Sequence, residues 1–239
     1  MKKLLVGLGS VLLVLVAMPL FAAFEAHVVN VSATIENALY VHPQSREFGT
    51  VFPQEYLEQA IFVTFSESFS ATDQRRVGTV EYAIKQKPKP LAAYEAQVGI
   101  EPARAWCHDN YPITPYSSTD SSWQSYLTNC MPSLCPYLSK TPDGFPSPSN
   151  DTGVLPFHDP FATSSFATGK INKFGTDVGD NWIIDLAVPC FRGQCAQDWS
   201  AFVTGKNPSV TDPSIYELSS ELEHEVFGCN LWVEVTDIY

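Results

Sequence analysis

Short stretches of strict period-two alternation recur along this chain, and few segments carry a helical period. Residues 28–36 place Val29, Val31, Ala33 and Ile35 on one face and Asn30, Ser32, Thr34 and Glu36 on the other. Residues 60–66 alternate Ile61, Val63 and Phe65 with Phe62, Thr64 and Ser66. In 77–86, Val80, Tyr82 and Ile84 oppose Thr79, Glu81 and Lys85; in 182–188, Trp182, Ile184, Leu186 and Val188 alternate with Ile183, Asp185 and Ala187. A last segment sets Leu231, Val233 and Val235 against Trp232, Glu234 and Thr236. Successive side chains of a strand point to opposite faces, so each segment has one apolar face to bury. No long helix is available to cover it, so a second sheet must. The expected fold is all-β, a jelly-roll or immunoglobulin-like sandwich. Helical signals are confined to Gln197–Gly205 and Ser219–Phe227.

The middle of the chain differs in composition. From about 88 to 180 it is rich in Pro, Ser, Thr, Gly and Tyr, with prolines from Pro102 to Pro160. Proline removes a ladder donor, so continuous central strands are not expected there. Its aromatics and cysteines argue against plain disorder. The segment reads as a long disulfide-stapled insertion of loops and short strands within one sandwich, with a separate small domain as the alternative.

The N-terminus reads as a secretory signal peptide: Lys2 and Lys3, an apolar run from Leu4 to Leu20, then Ala22 and Ala23. Cleavage after Ala22 makes 1–22 the signal and 23–239 the mature domain. An uncleaved leader would be the one route to a membrane. The expected location is therefore extracellular or at the cell surface.

That compartment decides how the cysteines are read. Cys107, Cys130, Cys135, Cys190, Cys195 and Cys229 are even in number, and in an oxidising compartment they form disulfides. They fall into two groups of three, 107–135 and 190–229, so full oxidation requires at least one bridge between the groups. The spacings of Cys130/Cys135 and Cys190/Cys195 do not fit a zinc knuckle.

The net charge of −12 argues against nucleic acid and anionic lipid as partners. No nucleophile elbow, metalloprotease helix, phosphate loop or dinucleotide fingerprint is present. His224 lacks the second histidine one turn away that zinc-protease helices need. His108-Asp109 and His158-Asp159 are adjacent pairs, which do not face each other, and read as surface or structural histidines. Asp177, Asp180 and Asp185 bracket a turn and form a weak calcium candidate. Aromatics of this kind more often pack a core or cover a disulfide; of those in the insertion, Trp123, Tyr126 and Tyr137 are the best candidates for exposure and glycan stacking. Asn30 and Asn150 begin glycosylation sequons.

Three features carry a family resemblance: the junction Leu20-Phe21-Ala22-Ala23-Phe24-Glu25 running directly into a strand, the turn Phe48-Gly49-Thr50-Val51-Phe52-Pro53-Gln54-Glu55, and the apolar strand that follows it. Together they resemble the TasA/camelysin family of secreted matrix-fibre proteins. The resemblance covers residues 1–87 and, more loosely, the closing strands 181–188 and 229–236. It implies a jelly-roll sandwich and self-association into fibres, in which an N-terminal strand of one subunit completes the sheet of the next. The donor would be His27 to Glu36, with Val29, Val31, Ala33 and Ile35 as its apolar face; the alternative is that this strand folds back into its own sandwich. Camelysin-type members have been assigned peptidase activity, and no metal-binding motif here supports carrying that over. The 88–180 insertion and the six cysteines depart from the family pattern. The expected function is a non-catalytic structural subunit of a fibre, biofilm matrix or surface layer. A glycan- or protein-binding surface module and a secreted hydrolase are the alternatives.

Overall fold

The computed structural model describes residues 35–71, 77–112, 114–143 and 150–239. The leader over 1–22 and the donor-strand positions Val29, Val31 and Ala33 lie outside these residues. Ile35 is described, is exposed and belongs to no strand.

Among the described residues, seven strands form two antiparallel sheets: β1 (Leu39–His42), β2 (Tyr56–Phe65), β3 (Thr79–Lys87), β4 (Thr141–Pro142), β5 (Ala167–Asn172), β6 (Gly179–Ala187) and β7 (Asn230–Ile238). One sheet runs β1-β2-β6-β4 and the other β5-β3-β7. The alternating segments at 60–66, 77–86, 182–188 and 231–236 are β2, β3, β6 and β7. The fold is thus β-rich and sandwich-like, held by disulfides.

Register explains the core. Ile61 sits opposite Trp182 and Val63 opposite Asp180, while across the other sheet Val80 faces Ile171 and Ile84 faces both Ala167 and Val233. These inward positions of both sheets belong to one apolar cluster. Tyr82 lies between the layers, edge-on to Trp182 at 6.4 Å. Its ring fits because its cross-strand partner is Gly169, where a Cβ would stand 2.4 Å from the ring.

Helices are more numerous than the sequence pattern implies. They are α1 (Glu67–Ser70), α2 (Ala92–Val98), α3 (Ile100–Asp109), α4 (Ser121–Asn129) and α5 (Trp199–Lys206). Only α5 matches an expected helix. The segment at 219–227 holds a short 3₁₀ turn, Ser220–Leu222, in place of a helix. The 88–180 segment holds α2, α3 and α4, which corrects the expectation of loops and short strands alone. It also supplies β4 and β5, one to each sheet. Asn37–Tyr239 forms one compact unit.

All six cysteines pair: Cys107–Cys130, Cys135–Cys229 and Cys190–Cys195. Cys135–Cys229 is the link between the two cysteine groups that full oxidation demanded. No helix among the described residues is long and apolar enough to cross a membrane.

Candidate functional site

The calcium candidate does not assemble as one ligand set. Asp180 and Asp185 are five residues apart on β6, so they point to opposite faces. Asp185 faces away from the core, where it accepts from Tyr56 Oη at 2.7 Å and Ser139 Oγ at 2.9 Å. Asp180 faces inward and accepts from the Tyr82 hydroxyl, which in turn accepts from Trp182 Nε1 at 2.8 Å. Burial pushes the Asp180 carboxyl up to about 7; the Tyr82 hydrogen bond opposes this, and the Asp151 and Asp177 carboxylates add to it. Among the described residues, no group of three His, Cys, Asp or Glu side chains could hold a metal.

The three candidates for exposure are inside, where they pack cores and cover a disulfide. Trp123 and Tyr126 are 7% and 0% exposed, and Tyr137 is 6% exposed. Positions 123 and 126 are three apart on α4 and share one face. That face packs on Cys107–Cys130 with Tyr111 and Tyr116, a small core separate from the main one. Tyr137 lies edge-on to Phe157 in the main core. An exposed aromatic stack lies elsewhere: Tyr40, His42 and Phe62 stack on the outer face of β1 and β2, at centroid distances of 6.3 and 5.5 Å.

The arrangement with the most chemistry lies between the sheets, and it is built from Gln86, Lys140 and His158. Gln86 continues the inward series Val80, Tyr82, Ile84 on β3 and is 2% exposed. Lys140 lies on the segment that runs into β4 along the edge of β6. Leu138 bridges Leu186 and Thr141 pairs with Ile183, so Leu138 and Lys140 point inward while Ser139 points out to Asp185. Lys140 is 0% exposed. Its main chain is fixed by reciprocal hydrogen bonds with Val154, at 2.8 and 2.7 Å. His158 follows Phe157, whose φ of 58° is the left-handed region that a bulky side chain rarely enters. Phe157 is held there by Tyr137, Trp199, Phe202 and Tyr216 around its ring and by its N–H on the Pro136 carbonyl at 2.8 Å.

The three side chains meet. Oriented to suit its neighbours, the Gln86 carboxamide directs its nitrogen to the Cys135 carbonyl at 2.8 Å and to His158 Nε2 at 3.3 Å, and its oxygen accepts from Lys140 Nζ. Lys140 Nζ also donates to the Ser165 carbonyl at 3.3 Å. Burial pushes the Lys140 ammonium down to about 7, and no carboxylate among the described residues counters it. His158 is pushed down to about 4, chiefly by burial and further by the Lys140 charge, with Asp159 and the Leu155 backbone opposing in part. The site therefore holds an amine whose charged form burial disfavours, an imidazole whose charged form is disfavoured likewise, and a carboxamide that touches both. Without the extra proton, the amine is a nucleophile and the imidazole a base.

Sequence reading set His158 aside as structural and did not single out Lys140 or Gln86. The available signal was Gln86 itself, a polar residue at the next inward position of an apolar series. Comparison with known proteins finds no matching family, curated protein or solved structure.

Proposed function

We propose that this chain is a secreted, non-catalytic structural subunit of an extracellular fibre, matrix or surface layer, built on a jelly-roll-type sandwich. The observation that carries this reading is β7. It is nine residues long, lies at the end of its sheet, and pairs only with β3 among the described residues. Val235 and Ile238 on it are each 41% exposed. An open edge of that length is a template for a further strand, because its main-chain groups remain to be paired. The alternating segment 27–36 of a second copy is the proposed donor. Three disulfides fit an oxidising compartment.

The test is deletion of residues 23–36 from the mature chain. Filaments seen by negative-stain electron microscopy for 23–239 should be lost for 37–239, with far-ultraviolet circular dichroism unchanged. Filaments that persist in the shorter chain would exclude this donor.

The exposed stack of Tyr40, His42 and Phe62 favours a second reading, a surface module that binds glycan by ring stacking. Under it, Phe62→Ala would abolish glycan-array binding that the parent chain shows.

A further inference from the structure

Lys140 poses a physical problem that hydrogen bonding alone does not solve. It is 0% exposed and sits between two sheets, and among the described residues no carboxylate contributes to its environment. A buried unpaired ammonium is costly, and removing the charge relieves that cost. Deprotonation is one route. A second route is covalent, because Nζ contacts a side-chain carboxamide and an imidazole touches the other end of that carboxamide.

We propose that Lys140 Nζ and the Gln86 carboxamide condense into an intramolecular isopeptide bond, with His158 moving the proton, so that a covalent link joins the two sheets. Neutral Nζ attacks the carboxamide carbon of Gln86, and the Nζ–Cδ bond forms. His158 Nε2, 3.3 Å from the amide nitrogen, accepts a proton from Nζ in the tetrahedral intermediate and returns it to that nitrogen. The original C–N bond breaks and one ammonia leaves. The products are a secondary amide and ammonia, and His158 ends as it began. No oxidant, reductant or cofactor takes part.

Amides resist amines in water, and placement makes the difference. Nζ is held by the Ser165 carbonyl, the carboxamide nitrogen by the Cys135 carbonyl, and each backbone by its own sheet. Such fixation is worth effective concentrations on the order of 10⁵ M or more. The strained turn at Phe157 fits the same account, since strain of this kind is retained where a following residue must be aimed. The product amide is neutral and suits a dry site better than the ammonium it replaces. The inference stands apart from the fibre reading: a lone surface module would carry the bond equally well.

The experiment is peptide mapping of the secreted chain after denaturation, reduction and alkylation. The expected species is a branched peptide joining the stretch containing Gln86 to the stretch containing Lys140. It should weigh one ammonia less than the two together, with no tryptic cleavage at Lys140. Separate, unmodified peptides with cleavage at Lys140 would overturn the proposal, as would an ammonia loss that persists in Lys140→Met. In His158→Ala the bond should form roughly 100-fold more slowly or not at all, in the range of general acid–base effects. Bond formation at the parent rate in that variant, followed by intact mass against time, would remove the shuttle role.

Discussion

Asp180 places a carboxyl in the otherwise apolar inward series of β6. It stands on the inner face of β6 opposite Val63 and is 2% exposed. The hydrogen-bond chain from Trp182 through Tyr82 gives its carboxyl one donor, while Asp177 and Asp151 crowd it with like charge. Its carboxyl titrates near 7 in the fold and near its ordinary 3.8 when unfolded. Its contribution is therefore full below 3.8 and is lost as pH rises through about 7, because the unfolded chain gains the ionised form first. Asp180→Asn keeps an acceptor for Tyr82 and removes the titration. In denaturant titrations, the variant should hold its stability as pH rises from 3.8 to about 7, where the parent loses about 4 kcal/mol. A parent profile as flat as the variant's would refute this. Alternation in the sequence placed Trp182, Ile184 and Leu186 correctly, and Asp180 lies two residues before that series. Reading it as a metal ligand followed residue type, whereas its register with Val63 decides its neighbours. Lys140 was hidden for the same reason: its inward direction is set by pairing with β6, which no local pattern encodes.

The helices of the 88–180 segment show why composition misled at the level of elements. Proline breaks helices only in their interior, where it removes a donor and clashes with the preceding turn. Here Pro88 and Pro90 precede α2, Pro102 is in the first turn of α3, and Pro112 and Pro115 lie between α3 and α4. The prolines punctuate the helices. Asp120 then caps α4 by accepting from Ser122 N–H at 2.8 Å. These short helices are marginal alone. They are held by the Cys107–Cys130 bridge and the ring cluster of Trp123, Tyr126, Tyr111 and Tyr116. Closing a loop of this size by a disulfide stabilises by about 3 kcal/mol. Replacing both Cys107 and Cys130 by Ala should therefore speed amide hydrogen exchange in α3 and α4 and leave β2 and β6 protected. Equal loss of protection in those strands would mean that the satellite core and the sandwich melt as one unit.

For the molecule as a whole, the four sheet edges are unequal, and that inequality selects where a second copy would add. β4 offers two residues and β1 four. β5 offers six, and Thr152 already bridges its Thr168. β7 offers nine, with Leu231 and Val233 turned to the core and Val235 and Ile238 at the surface. A donor strand gains hydrogen bonds in proportion to the length it pairs, so β7 is the edge on which addition would be strongest. Charges on an edge strand disfavour pairing with another chain and disturb a folded monomer little when the position is already exposed. Val235→Lys with Ile238→Lys should accordingly keep the thermal midpoint within a few degrees and abolish filament growth in light scattering. Filaments of parent length in that double variant would move the acceptor to another edge, without touching the donor tested by truncation. The Cys135–Cys229 bridge bears on the same question. It fastens the start of β7 to the chain that leads into Lys140, so load applied to β7 passes to both sheets through covalent bonds. A subunit pulled through its terminal strand would need that route, and a lone binding module would not.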